Sequence, residues 1–352
     1  MIVPIVIPAY EPDERFVTLI RNLVKKRIVP IIVVDDGSSI QYQKFFNKAS
    51  KIMKGNGVTL KHETNQGKGA ALKTAFKYIL KTYPSALGCV TADCDGQHSP
   101  ECIEKMQQSF RAQPESLILG VRDFDKRDIP FKSKFGNCLT RFVCKFFANL
   151  NINDTQTGLR CIPQSLIPAL IKLKGNRFEY EMQMLIYCAD KTSVIEVPIK
   201  TIYESKENHQ THFKPVFDSV KIYAVIFKQF HKYIASSVLS FALDISAFWF
   251  FCRILKNTDL GIRIVTATIA ARIMSALFNI SMNYLFVFES RKNFIFSSGK
   301  YVLLAISIML LSAILVSGFA FLLPDFSPVL IKVGIDSLLF ILSFHFQKKY
   351  VF

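Results

Sequence analysis

Two carboxylates, Asp93 and Asp95, stand two positions apart in TADCDGQH (residues 91–98), just after the apolar run Leu87–Val90. If they continue a strand, side chains at i and i+2 share a face. The two charges would then repel and raise one another's pKa. A divalent cation offsets that cost, and Asp oxygens suit hard ions such as Mg2+ or Mn2+. The bland alternative is a polar turn leading into a helix, with Ser99 as N-cap, Pro100 at the first helical position and Glu101 in the first turn. Asp-x-Asp by itself does not decide between the two.

Four more stretches carry residue types suited to nucleoside or phosphate chemistry. VIPAYEP (6–12) runs a strand into a turn with Tyr10 and Glu11. VVDDGSS (33–39) ends a strand in Asp35 and Asp36, which can accept from a base N–H or a ribose hydroxyl. NQGKGAA (65–71) sets Lys68 between Gly67 and Gly69 at the start of a helix, where close backbone approach and positive charge favour phosphate. Its spacing is not that of a P-loop. DTQTGLR (154–160) is the fourth. Singly, an ordinary turn for DDGSS and a solvated lysine for Gly-Lys-Gly are the plainer readings.

Positioning these residues takes a sheet. Apolar runs predict strands at Ile2–Ile7, Pro30–Val34, Val58–His62, Leu87–Thr91, Leu117–Gly120 and Val194–Val197. Helical patterns lie between them at Asp13–Lys26, Gln41–Met53, Gly69–Lys81 and Pro100–Ala112. Such alternation predicts an α/β domain with a mostly parallel sheet over residues 1–200. Ligands of such sheets bind beyond the carboxyl ends of the strands, where both acidic pairs would fall.

The rest of the chain is of another kind. Four long apolar runs, Ile234–Cys252, Ile262–Phe288, Tyr301–Leu323 and Val329–Phe346, predict a four-helix transmembrane domain over 234–352, after an amphipathic juxtamembrane segment at 201–233. Basic residues sit at His231-Lys232, at Arg291, Lys292 and Lys300, and at Lys348-Lys349, while the loop between the third and fourth runs has only Asp325. This bias predicts a multi-pass cell-membrane protein with residues 1–200 in the cytoplasm. Arg253, Lys256 and Arg263 in the first loop argue the other way. The second run ends SMNYLFVF (281–288) and the fourth HFQKKYVF (345–352), which fits either a parallel repeat of two helix pairs or chance likeness of Phe-rich helix ends.

Composition narrows the partners. The 352 residues include 32 Phe, are 50% hydrophobic and carry a formal charge of +17. That suits an anionic membrane surface and phosphate-bearing substrates. Zinc-finger, RNP and basic-zipper patterns are missing, so nucleic acid is not expected as a partner. The eight cysteines show no C-x-x-C pair and read as small buried hydrophobes in a reducing compartment. MIVPIVIPAY reads as a first strand, not a signal peptide.

In this order, V-I-P-A-Y-E, V-V-D-D-G-S, N-Q-G-K-G-A-A, A-D-C-D-G-Q-H and T-G-L-R make the first 200 or so residues resemble family 2 glycosyltransferases of the GT-A (Rossmann-like) fold, nearest the dolichyl- and polyprenyl-phosphate sugar synthases. The final stretch resembles the GtrA-like four-helix membrane domain, through Asn283 and the ending Phe286-Val287-Phe288. The resemblance implies transfer of a sugar, with inversion, from a UDP- or GDP-sugar to a membrane polyprenyl phosphate. It implies a nucleotide pocket at Pro8, Ala9, Tyr10, Glu11, Asp35 or Asp36 and Lys68, Mg2+ or Mn2+ on Asp93 and Asp95 with Gln97, and Arg122 and Arg160 facing the acceptor phosphate or the leaving diphosphate. Cys94 and Gly96 depart from the family's commoner residues without removing a ligand.

A lipid acceptor also suits two apolar stripes flanked by basic residues. These are Phe131, Phe135, Leu139, Phe142 and Phe146 beside Lys132, Lys134, Arg141 and Lys145, and Val216, Val220, Tyr223, Phe227 and Phe230 beside Lys221 and Lys228. They read as interfacial helices or as core packing. Arg272 lies on one face with Ala276, Asn279 and Asn283, and would meet the lipid phosphate or pair with Asp336 or Asp244. An alternative from another class is a flippase of lipid-linked sugars, or a membrane partner in envelope polysaccharide glycosylation, built on the membrane half. A processive synthase is disfavoured, because the single Trp249 lies in a membrane run without a Q-x-x-R-W motif. A homo-oligomer is left open.

Overall fold

The computed structural model describes residues 2–122, 131–199 and 215–352. The chain divides into two compact units, 1–226 and 227–352.

Among the described residues, unit 1 holds a seven-stranded sheet in the order β3-β2-β1-β4-β6-β5-β7. The strands are β1 (Ile5–Ala9), β2 (Ile31–Asp35), β3 (Gly57–Lys61), β4 (Gly88–Thr91), β5 (Leu117–Arg122), β6 (Arg160–Pro163) and β7 (Val194–Ile199). β1, β2, β3 and β4 pair in parallel, as do β5 and β7. Six of these were expected. The seventh, β6, runs antiparallel to both β4 and β5 and was not, because four residues beside a turn motif give no periodic signal. It stitches TGLR to the end of β4, with Thr91 opposite Arg160.

Helices α1 (Glu14–Lys25), α2 (Gln43–Ile52), α3 (Lys68–Thr82) and α4 (Pro100–Ala112) fall where the periodicity put them. α1 shows why. Asp13 caps its N-terminus by accepting from Arg15 N, and its apolar face buries Phe16, Val17, Leu19, Ile20 and Leu23. Each such side chain is worth about 1.5–3 kcal/mol on burial. α5 (Phe131–Val143), α6 (Ile167–Lys172) and α7 (Phe178–Lys191) complete the unit together with the start of α8 (Pro215–Ile254). Leu139, Phe142, Phe217 and Val220 are exposed, while Tyr223 lies within 3.4 Å of Thr140. The side chains of Phe131, Lys132, Lys134, Phe135 and Val216 lie outside the described residues. Among the cysteines the buried reading fails for Cys138, which is exposed.

Unit 2 continues α8 and adds α9 (Leu260–Met282), α10 (Phe294–Leu322) and α11 (Pro328–Phe346). The four spans Phe217–Ile254, Leu260–Val287, Phe294–Leu322 and Pro328–Val351 are long and apolar enough to cross a membrane.

The suspected repeat has a structural counterpart. α9 and α11 each end in a five-residue π turn, Asn283–Val287 and Gln347–Val351. These are closed by Phe288 N to Asn283 O and by Phe352 N to Gln347 O, both 2.9 Å. Carbonyls at a helix end lack helical donors, and here the preceding helix of each pair supplies them. Gln229 and Lys232 donate to Val287 O and Phe286 O, at 3.1 and 2.9 Å. Ser297 and Lys300 donate to Val351 O and Tyr350 O, at 3.1 and 3.2 Å. Deeper in, Tyr301 OH donates to Asn279 Oδ1 (2.7 Å) and Tyr233 OH to Ser343 Oγ (3.4 Å). Exchanging the first helix pair for the second maps each contact onto its mate. Asn283 Nδ2 donates across the centre to Gln347 Oε1 (3.1 Å), and the rings of Phe288 and Phe352 stack at 5.1 Å.

Buried amides in a lipid-embedded bundle hold helices together, since losing one strands its partners. Asn283 is fully buried and also accepts from Ser236 Oγ at 2.9 Å. Asn283→Leu and Gln347→Leu are therefore each expected to lower stability by about 1–2 kcal/mol. Thermal unfolding of the full chain in detergent measures it. Effects that differ strongly between the two would contradict the exchange.

Candidate active site

The carboxyl ends of β1, β2 and β4 lie side by side, and their loops carry the motif residues. Asp93 and Asp95 lie past the end of β4, in a turn with Gly96 at φ 79°. Their closeness thus comes from the turn and not from a shared strand face. The helix-cap alternative holds as well: Ser99 Oγ accepts from Cys102 N at 3.3 Å, and Pro100 opens α4.

Asp93 is the hub. Lys68 Nζ lies 2.7 Å from its Oδ1 and 2.9 Å from Glu181 Oε1. His98 Nε2 lies 3.5 Å from its Oδ2, and the buried His98 Nδ1 has no hydrogen-bond partner among the described residues. Burial alone would push the Asp93 carboxyl up, but the Lys68 ammonium and His98 outweigh it and hold it well below the usual carboxylate range. Burial and then the Asp93 charge push Asp95 the other way, upward. Burial with Asp95 and Asp93 nearby lifts the Cys94 thiol to about 12, so it stays protonated. Gly158 of TGLR packs on the same carboxylate, where a Cβ would sit 2.2 Å from Asp93 Oδ2. Thr91 Oγ1 fixes that approach by donating to Gly158 O at 2.8 Å.

Residues 5–168 match the Glycosyl transferase family 2 profile. Over 216 residues the chain is 30% identical to the UDP-N-acetylglucosamine–dolichyl-phosphate N-acetylglucosaminyltransferase of Methanococcus voltae, covering 56% of this chain and 85% of that one. Over 205 residues it is 32% identical to an uncharacterized protein of Methanocaldococcus jannaschii, covering 56% of this chain and 81% of the other. The chain belongs to glycosyl transferase family 2. Among solved structures, a mannosyltransferase of Pyrobaculum calidifontis in complex with GDP-Man and Mn2+ aligns with a TM-score of 0.41 at 11% identity, covering 99% of this chain and 87% of that one.

In this glycosyltransferase the motif residues divide by exposure. Pro8 and Ala9 end β1 and are buried, Ala9 in the hydrophobic core. Tyr10 and Glu11 are the first residues to emerge. Glu11 takes a left-handed backbone (φ 49°), uncommon outside glycine and concentrated at functional sites. Ser38 and Ser39 hold it there: Glu11 N donates to Ser38 Oγ (2.9 Å) and Ser39 Oγ to Glu11 Oε1 (2.8 Å). Both aspartates of the second motif are buried. Asp35 accepts from Ser38 N and Gln43 Nε2, each at 2.9 Å. Asp36 accepts from Gln66 N (3.0 Å) and Gly67 N (2.8 Å), with His62 Nδ1 at 2.7 Å. Asp36 thereby braces the loop that carries Lys68.

The plainer reading of Lys68 is corrected, since its ammonium is ion-paired and its side chain is only 21% exposed. Gln97 N donates to Asp95 Oδ1 at 3.0 Å. Arg122 is held by both oxygens of Asp154, Nε to Oδ2 at 2.6 Å and Nη2 to Oδ1 at 3.0 Å. Arg160 is 2% exposed and donates from Nε to Thr157 O and from Nη1 to Glu181 O, each at 2.8 Å. Arg141 Nη2 donates to Asn153 Oδ1 at 2.6 Å. In unit 2, Arg272 reaches Asp244 at 3.6 Å with its side chain 74% exposed, whereas Asp336 pairs with Lys332 at 2.8 Å.

Sequence reasoning missed Glu181, His98, Asp154 and Gly158. The last three lay within stretches already singled out, but nothing in their spacing showed what they touch. Glu181 had no signal, because only the fold brings α7 to the start of α3.

Proposed function

We propose that this glycosyltransferase moves a sugar from a UDP- or GDP-sugar to a membrane polyprenyl phosphate, with inversion at the anomeric carbon. The supporting observation is the acidic pair past β4, backed by Lys68 and Glu181 and set beside the strand ends where α/β sheets bind ligands. The dolichyl-phosphate substrate in the name of the Methanococcus voltae relative supports the same acceptor class.

Asp93 and Asp95 offer hard carboxylate oxygens, a donor set that fits Mg2+ or Mn2+. Among the described residues no three His, Cys, Asp or Glu side chains converge on one point, so Gln97 and the donor diphosphate would complete the ion's shell. When bound, such an ion supplies positive charge to the departing diphosphate.

The chain's own groups do the rest. Tyr10 and Glu11 line the nucleotide pocket, and Asp35, which accepts from Ser38 N and Gln43 Nε2, fixes the turn behind them on the base or ribose side. Asp36, its oxygens spent on the 62–67 loop, keeps that loop in place. Arg122, oriented by Asp154, faces the acceptor phosphate, with Arg141 farther out. Arg160 supports the site through the carbonyls it binds. The nucleophile is a phosphate oxygen, whose second pKa near ~6 leaves it mostly ionised at neutral pH, so no strong general base is required.

The exposed Leu139, Phe142, Phe217 and Val220, with Arg141 and Lys221 nearby, suit contact with an anionic lipid surface. The four apolar helices support a reading as a multi-pass protein of the cell membrane, and the basic residues flanking them support unit 1 on the cytoplasmic side.

The test is to incubate membranes holding the full chain with labelled UDP- and GDP-sugars and extract the lipid. Label is expected in the lipid fraction, and a chelator is expected to abolish it. Label that never enters lipid, whatever the donor, would refute the proposal. Transfer untouched by chelation would refute its metal part.

A further inference from the structure

Lys68 is an odd residue for its position. It is the first residue of α3, and the start of a helix disfavours a cation. Its ammonium is nevertheless drawn inward between Asp93 and Glu181, on side chains 28% and 13% exposed. Burial by itself would push its pKa down, but the two carboxylates more than reverse this and keep it charged.

The backbone around it is built for this placement. A Cβ on Gly67 would meet Asn176 O at 2.5 Å, and one on Gly69 would meet Tyr180 Cβ at 2.5 Å. Ala70 N donates to Asn176 O (3.0 Å) and Lys73 Nζ to Gly175 O (2.7 Å). The starts of α3 and α7 are thus locked together. Glu181, whose own carbonyl is held by Arg160, keeps a fixed relation to the root of Lys68. On the far side of the ammonium are Asp93 and, two residues on, Asp95. Lys68 is shared by two carboxylates, Asp93 and Glu181, and its charge also acts on Asp95, so any cation arriving at Asp93 meets the ammonium already there.

We propose that Lys68 is the resident counter-ion of Asp93, competing there with the divalent ion, and that Glu181 is the positioning residue that keeps the ammonium when the divalent ion takes Asp93. This rests on the reading of Asp93 and Asp95 as ion ligands. In the absence of the ion the lysine neutralises the rim, so that the acidic turn does not spring open by self-repulsion. In its presence Glu181 holds the lysine beside the diphosphate instead of releasing it to solvent.

The experiment is equilibrium binding of Mn2+ alone to the full chain in detergent, read by the electron-spin signal of free Mn2+, with thermal unfolding as the fold control. Lys68→Met is expected to bind Mn2+ about tenfold more tightly than wild type, because a unit charge a few ångströms from the site has been removed. Glu181→Gln is expected to bind it several-fold more weakly, because Lys68 then rests on Asp93 alone. In the Lys68→Met background, Glu181→Gln is expected to add little, since Glu181 acts through the lysine. If Lys68→Met does not fold, Lys68→Gln takes its place.

Unchanged or weaker Mn2+ binding in the lysine variant overturns the proposal. So does tighter or unchanged binding in Glu181→Gln, or full additivity in the double variant. Equal Mn2+ binding by wild type and Asp93→Asn is a different result, and it would sink the ion-ligand reading itself.

Discussion

Asp93→Asn and Asp95→Asn are each expected to cut sugar transfer by about 10²–10³-fold, the usual cost of removing one preorganised group that stabilises charge in the transition state. The geometry makes Asp93 the more severe of the two. It holds Lys68 at 2.7 Å, and Gly158 is packed against it too closely to admit even a methyl group. Asparagine keeps the shape but not the charge, so Lys68 is left to Glu181 and the acidic rim loses the carboxylate proposed to hold the ion. Asp95, with its pKa pushed up by burial and by Asp93, accepts from Gln97 N at 3.0 Å and carries no ion pair among the described residues. Initial rates of label transfer to extracted lipid, with unfolding midpoints alongside, make the comparison. Near-wild-type rates in both folded variants would remove the catalytic assignment.

The second large effect concerns stability. Asp154 is fully buried and grips Arg122 through both carboxylate oxygens while also accepting from Gln156 N at 3.1 Å. Removing one partner of a buried ion pair leaves the other charge uncompensated, at a cost of about 3–5 kcal/mol. Asp154→Ala should therefore lose that much in denaturant unfolding, a large part of the margin of a typical domain. It should lose transfer as well, because Arg122 is no longer aimed. Replacing both residues, Arg122→Met with Asp154→Leu, should recover part of the stability but none of the activity, since an apolar pair no longer strands a charge. A loss below about 1 kcal/mol in Asp154→Ala would place the pair among weak surface bridges.

The two halves of the chain were legible for different reasons. Strands β1, β2 and β4 are short apolar runs that stop at acidic turns, and buried parallel strands show themselves that way. The four helices fit to cross a membrane are long apolar runs with few charges, and only their ends moved. α8 reaches back to Pro215, past the predicted start at Ile234, because the amphipathic stretch before it continues the same helix. The repeat was visible in two helix ends. Its second signature, Lys232-Tyr233 against Lys300-Tyr301, was equally present in the sequence but acquires meaning only once both lysines are seen capping carbonyls of π turns.

The sequence by itself determined the sheet's strand ends, the identity and order of the acidic motifs, and the greasy, basic character of the second half. These depend on residues near one another along the chain, where period and turn chemistry act. Tertiary structure decided which charges meet. It made Asp36 a brace and not an open acceptor, buried Arg160 among carbonyls, inserted β6 between β4 and β5, and brought Glu181 to Lys68. Each of these is a contact between segments far apart in the chain. A charge has no periodicity to reveal its partner, so only the packing of glycines and strands could settle which carboxylate each cation would meet.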